Sequence, residues 1–115
     1  MVAPAAGTVV LVPFPFSDLS KSKLRPAVVL ADAGRGDWIL CQITSNPYGD
    51  SHALPLSDEG FDEGGLERVS YVRPGKLFTA NADLILRRAG TLRRESFKQI
   101  VDAVVALLQS GLNKE

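Results

Sequence analysis

The chain has 115 residues, the size of one domain, so residues 1–115 are expected to fold as a single unit; 45% are hydrophobic and 23% charged, the profile of a globular protein. No apolar run approaches the roughly 20 residues of a membrane span, Met1-Val2-Ala3-Pro4 lacks the cationic start of a signal peptide, and a single cysteine excludes an internal disulfide, which together fit a reducing cytoplasm. Net charge is zero, which argues against a strongly basic nucleic-acid binder, but it is unevenly spread: residues 50–67 hold six acids and no Lys or Arg, whereas residues 68–115 hold nine bases against four acids.

The first two-thirds read as short strands broken by turns. Thr8-Val9-Val10-Leu11-Val12 is apolar on both faces, the pattern of a strand covered on both sides. Pro13 and Pro15 are expected to end it, because proline has no N–H for a sheet ladder. Phe16 to Leu24 is a polar loop, and Pro26 to Ala31 a second strand. The glycine-rich Asp32–Asp37 stretch makes a hairpin turn into a third strand from Trp38 to about Ser45. Asn46-Pro47-Tyr48-Gly49-Asp50 is a turn, His52 to Leu56 a short strand, and residues 57–66 an acidic, exposed loop. Arg68–Val72 and Leu84–Ala89 are further strands, separated by a break at Pro74-Gly75. Then the period changes: Phe97, Ile100, Val101, Val104, Val105 and Leu108 recur at three- and four-residue intervals, one apolar face of a helix, with Thr91 as its N-cap and Gly111 as its C-cap. Several short strands and one terminal helix predict a mainly β fold, a small barrel closed by a C-terminal amphipathic helix.

Three places can carry chemistry. In Lys21-Ser22-Lys23-Leu24-Arg25-Pro26, the proline holds Arg25 extended at the root of a strand, and a guanidinium there offers a planar donor fork for phosphate oxygens. A salt bridge to an acid would be its purely structural role. In Gln42-Ile43-Thr44-Ser45, alternation puts Ile39, Cys41 and Ile43 on one face and Trp38, Leu40, Gln42 and Thr44 on the other. If the first face is core, Cys41 is a small buried hydrophobe and the Thr44 hydroxyl points elsewhere, where it can donate to a phosphate. Tyr71-Val72-Arg73-Pro74 repeats the Arg-Pro pairing and supplies a second cation in Arg73. Cys41 and His52 stand alone in their types, so no zinc finger and no Cys/His catalytic pair can be built within one chain; no metal and no cofactor are expected.

Gly7-Thr-Val-Val-Leu-Val-Pro-Phe-Pro-Phe-Ser-Asp18, then Lys23-Leu-Arg25-Pro26-Ala-Val-Val-Leu30, then Gln42-Ile-Thr44-Ser45, resemble in order and spacing the MazF/PemK family of toxin endoribonucleases. The resemblance runs on through Arg73 to Thr79 and the final helix, nearly the whole chain. It implies an SH3-like β-barrel with a C-terminal helix, assembled as a symmetric homodimer. It implies metal-independent, sequence-specific cleavage of single-stranded RNA, usually mRNA, in a toxin–antitoxin pair whose antitoxin covers the RNA groove with a segment that folds on binding. The family's catalytic arginine falls on Arg25 and its catalytic threonine on Thr44. Part of the family adds an Arg followed two residues later by Asp; Arg73 matches the first, but Gly75 stands in the acid's place.

RNA would cleave by its own nucleophile, the 2′-OH attacking the adjacent phosphorus, with Arg25 and Thr44 on the phosphorane oxygens. Contacts to the strand are expected from Phe16, Ser17, Asp18, Lys21, Lys23, Ser45 and Arg73, with Phe14, Trp38 and Tyr48 as further stacking surfaces. Asp18 and His52 are the weak candidates for a base. The rival readings are a non-catalytic SH3-like binding module, an inactive toxin paralogue, and a gyrase poison; the last relies on a C-terminal Trp-Gly-Ile, where this chain has Leu112-Asn-Lys-Glu115.

Overall fold

The computed structural model describes residues 3–15 and 22–113. Among them are β1 (Thr8–Pro15), β2 (Ser22–Gly34), β3 (Asp37–Thr44), β4 (Leu54–Leu56), β5 (Phe61–Gly64), β6 (Ser70–Asn81), β7 (Arg87–Leu92) and α1 (Arg94–Ser110). The strands form one curled antiparallel sheet in the order β4-β6-β3-β2-β1-β7-β5, a half-barrel with the helix laid against it. The expected mainly β architecture with a C-terminal helix is the one observed.

Both faces of the sheet are covered along its middle, which is why its strands are apolar at nearly every position. On one face Val9, Val28, Cys41, Ile43, Leu56, Phe61, Val72 and Leu92 pack with Ile100 of α1. On the other, Val10, Val12, Ala27, Val29, Leu40, Ala80 and Ile85 form a second cluster, with Trp38 and Phe78 against it. Alternation along β3 therefore sorts side chains between two cores, not between core and solvent.

The prolines of β1 do not end the strand. Leu11 accepts from the Leu86 N–H on the β7 side. Pro13 and Pro15, two and four residues on, aim their nitrogens the same way, past the last β1–β7 pair, Leu11↔Arg87. The ladder to β2 continues through Pro13↔Leu24 and Pro15↔Ser22, because it never asks those nitrogens for a proton. Pro26 works in the opposite sense. Its nitrogen faces β3, and the β2–β3 pairing stops one residue short of it, at Ala27↔Gln42. The two strands fork there.

β6 runs through the expected break. Cys41 pairs with Leu77 and Ile43 with Val72, so Arg73-Pro74-Gly75-Lys76 bulges opposite the single residue Gln42. Pro74 is buried, where a missing N–H suits the interrupted ladder. The acidic loop is also more ordered than its composition predicts. Phe61 is buried and β5 pairs with β7, Gly64 opposite Gly90. Gly64 has φ +70°, and a Cβ there would collide with the Ala89 carbonyl oxygen, so the close approach requires glycine.

Thr91 is not a helix cap, since β7 continues through it to Leu92. Arg93 holds the N-cap position without a side-chain capping bond, its Nε donating instead to the Glu59 carbonyl at 2.8 Å, and the Phe97 N–H donates to the Arg93 carbonyl. Of the expected apolar face, Phe97, Ile100 and Val104 turn inward, whereas Val105 and Leu108 are exposed, as is Leu112 beyond the helix. Among the described residues no helix is long and apolar enough to cross a membrane.

Candidate functional site

The two principal candidates stand on the two arms of the fork between β2 and β3. The last β2–β3 pair is Ala27↔Gln42, so Arg25 and Thr44 each lie two residues beyond it on their own strand. Val12 pairs with Arg25 on one side, and Thr44 with Tyr71 on the other. Paired residues share a face, so Val12 and Arg25 lie on the side of Ala27 and Val29, and Thr44 and Tyr71 on the side of Leu40, which is the same face of the sheet. They lie where that core ends and the sheet opens. Arg25, Thr44 and Tyr71 are half-buried, which keeps them placed yet reachable.

The Thr44 hydroxyl is built into the turn that follows. It donates to the Asn46 carbonyl at 3.0 Å and its oxygen accepts from the Asn46 N–H, 3.2 Å away. The turn continues with Asn46 Oδ1 accepting from the Tyr48 N–H at 2.9 Å. Tyr48 takes φ 52° and its ring is 76% exposed, a stacking surface held out from the fork. Ser45 is exposed beside Thr44.

Arg73 is anchored from the same turn. Its Nε donates to Asp50 Oδ2 at 2.9 Å, with both side chains mostly covered, 20% and 14% exposed. Asp50 Oδ1 accepts from the His52 N–H at 2.9 Å. Those two bonds, the arginine first, hold the Asp50 carboxyl below its ordinary value. Asp50 thus supplies a carboxylate beside Arg73 although Gly75 is exposed and bare. The Arg73 carbonyl accepts from Cys41 Sγ at 2.9 Å, pinning the root of the bulge to β3. Burial pushes that thiol up to about 12, so Cys41 stays a protonated core group.

The remaining candidates divide. Lys23 is exposed on β2, opposite Phe14, towards the fork. Phe16, Ser17, Asp18 and Lys21 lie outside the described residues. Trp38 packs against the second core at the other end of β3, which takes it away from the fork. The His52 side chain is exposed in the turn. Two residues that sequence reasoning left without a role, Tyr71 and Asp50, belong to the site. The signal for Tyr71 was present, since it precedes Arg73 by two on an alternating strand. For Asp50, 23 residues from Arg73, no sequence signal exists.

Residues 5–108 match the family model described as PemK-like, MazF-like toxin of type II toxin–antitoxin system. No curated protein matches the chain. Among solved structures, MazE-MazF from Deinococcus radiodurans is similar at a TM-score of 0.72 and 18% identity, over 94% of this chain and 97% of that one. An endoribonuclease in complex with its cognate antitoxin from a mycobacterial species gives 0.68 and 16%, over 94% and 95%. The Mycobacterium tuberculosis toxin MazF-mt6 gives 0.67 and 17%, over 89% and 96%.

Proposed function

Because the chain belongs to the PemK-like, MazF-like toxin family of type II toxin–antitoxin systems, we propose that it is a metal-independent, sequence-specific endoribonuclease that cleaves single-stranded RNA, mRNA in the first place. The observation that carries this reading is the fork, which sets a guanidinium and a hydroxyl from two strands on one open face. In the reaction the ribose 2′-OH loses its proton and attacks the adjacent phosphorus. The bond to the 5′ oxygen breaks and that oxygen takes up a proton, so the transesterification is proton-neutral overall and leaves a 2′,3′-cyclic phosphate and a 5′-OH. Negative charge grows on the phosphorane oxygens, where fixed donors lower the barrier.

Arg25 is the principal donor to that charge. Its guanidinium offers a planar fork of charged N–H donors that matches two phosphate oxygens at once. Thr44 needs only a rotation of its O–H from the Asn46 carbonyl to a phosphate oxygen, while the Asn46 N–H keeps Oγ1 in place. Arg73, held through Nε by Asp50, keeps its two terminal amino groups for acceptors on the RNA. Lys23 and Ser45 flank the path of the strand, and Phe16, Ser17, Asp18 and Lys21 extend it. Tyr48 stacks a base.

Residues 1–115 act as one toxin domain in the cytoplasm, paired in a homodimer and silenced by an antitoxin segment that folds over the same face. The test is cleavage of a long RNA by the purified protein in EDTA, with ends mapped. Wild type should cut at a defined motif and leave cyclic phosphates, and Arg25→Ala should fold normally but cut about 10²–10³-fold more slowly. A folded Arg25→Ala protein with full activity, or wild-type cleavage abolished by EDTA, rejects the mechanism.

A further inference from the structure

The β6 bulge opens a hollow of about 330 Å³, lined by Gln42, Arg73, Lys76, Leu77 and Phe78. It exists because four residues of β6 oppose one of β3, which takes Arg73 to Lys76 out of the ladder opposite Gln42. Gln42 and Phe78 lie on the face that carries Thr44: Phe78 pairs with Leu40, and Gln42 and Thr44 follow at alternate positions of β3. Gln42 is two residues from Thr44, roughly 7 Å along the strand. The hollow is therefore the next stop along the sheet from the fork. Its volume sits at the low end of the about 300–1,000 Å³ typical of small-molecule sites, room for one flat ring and not for two.

We propose that this hollow is a nucleobase subsite that selects a base carrying a ring N–H beside an exocyclic carbonyl, uracil or guanine, over adenine and cytosine. It rests on the RNA-cleaving reading above and deepens it to the choice of sequence. A primary amide is ambidextrous: Gln42 can accept from a ring N–H and donate to a carbonyl, or turn over and do the reverse. The two cations break the tie. Arg73 and Lys76 carry donors only, so they favour a carbonyl edge and disfavour the exocyclic amino group of adenine or cytosine. Leu77 and Phe78 supply the apolar wall against which a ring packs. A second hollow, about 280 Å³, has three acids, Asp58, Glu59 and Glu67, against the single cation Arg68, a balance that disfavours a polyanion.

Two measurements decide it. Cleaved ends from a random RNA pool should show one position restricted to U or G in wild type. That preference should flatten about tenfold in Gln42→Ala while preferences at the other positions persist. A Gln42→Ala profile identical to wild type overturns the subsite and leaves the nuclease intact. Separately, titration of the folded protein with UMP, GMP, AMP and CMP is followed through the Gln42 side-chain NH₂ resonances. UMP and GMP should move them at several-fold lower concentration than AMP and CMP. Equal response to all four, or none, rejects the subsite. This arm needs no catalysis, so a protein that cuts no RNA condemns the nuclease reading while the titration still judges the hollow.

Discussion

The two faces of β3 are built from one strand and behave oppositely. Cys41 and Ile43 face α1, are fully buried, and sit among Val28, Val72 and Ile100. Gln42 and Thr44 face the other way, half-buried, at a fork and a bulge where the ladder is interrupted. Continuous pairing gives a surface that can only be packed. Interrupted pairing leaves backbone and side-chain donors that can be turned to a ligand. Pro26 and the Arg73–Lys76 bulge make the difference, not the polarity of the segment.

That contrast predicts where substitutions read out as stability and where as activity. The largest effect should come from the packed face. Ile43→Ala removes a branched side chain that is 1% exposed, and such truncations cost about 2–5 kcal/mol. Thermal or urea unfolding should show that loss, with cleavage per folded molecule unchanged below the transition. On the open face the pattern should reverse. Thr44→Val removes both hydroxyl bonds and should slow cleavage by about 10²-fold, the scale of one lost donor to a developing oxyanion. Thr44→Ser keeps the hydroxyl and should keep most of the rate. Equal losses in both variants would mean that the exact setting of the side chain in its turn, not the donor alone, is what cleavage needs.

How much of this was legible in the sequence follows the same division. Local rules found most strands, the terminal helix and the placement of Thr44 off the Cys41 face, because alternation and helical period are properties of neighbouring residues. They failed at Pro13, whose effect depends on which side of β1 has a partner, and at Phe61, whose burial depends on β7 pairing with β5 inside the acidic stretch. The fork needed one more step, since Arg25 and Thr44 are 19 positions apart and come to the two arms of one fork only through the register of β2 on β3. Family resemblance named both residues; the register gives a physical reason for the pairing. Asp50 was beyond reach, because its partner Arg73 is fixed by a bulge that no local pattern announces.

Asp50→Asn tests that bulge. It keeps the size and the acceptor but removes the charge that holds Arg73. Cleavage should fall several-fold, and stability near neutral pH should drop. The sign with pH follows from the lowered carboxyl. A depressed acid contributes stability above its ordinary value of 3.8, and the contribution is lost as pH falls through the lower folded-state value. The gap between wild type and Asp50→Asn in unfolding experiments should therefore close as pH drops below about 4. A gap that persists unchanged into stronger acid would show that the ion pair is not its source.

The smallest effect belongs to an ion pair that is short but exposed. Lys98 Nζ lies 2.7 Å from Asp102 Oδ2, closer than the 2.9 Å between Arg73 and Asp50. Yet its side chains are 73% and 62% exposed, against 20% and 14%. Water screens the first pair and desolvates little on its formation, so an i,i+4 helix pair of this kind contributes about 0.3–0.5 kcal/mol. Lys98→Ala should lower stability by no more than that in dilute buffer, and by nothing measurable in molar salt, where the Debye length is about 3 Å. The effect of Asp50→Asn should survive the same salt in large part, because its partners are covered. If instead salt erases both differences equally, burial is not what separates the two pairs, and Arg73 is no better anchored at the open face than a lysine on the back of the helix.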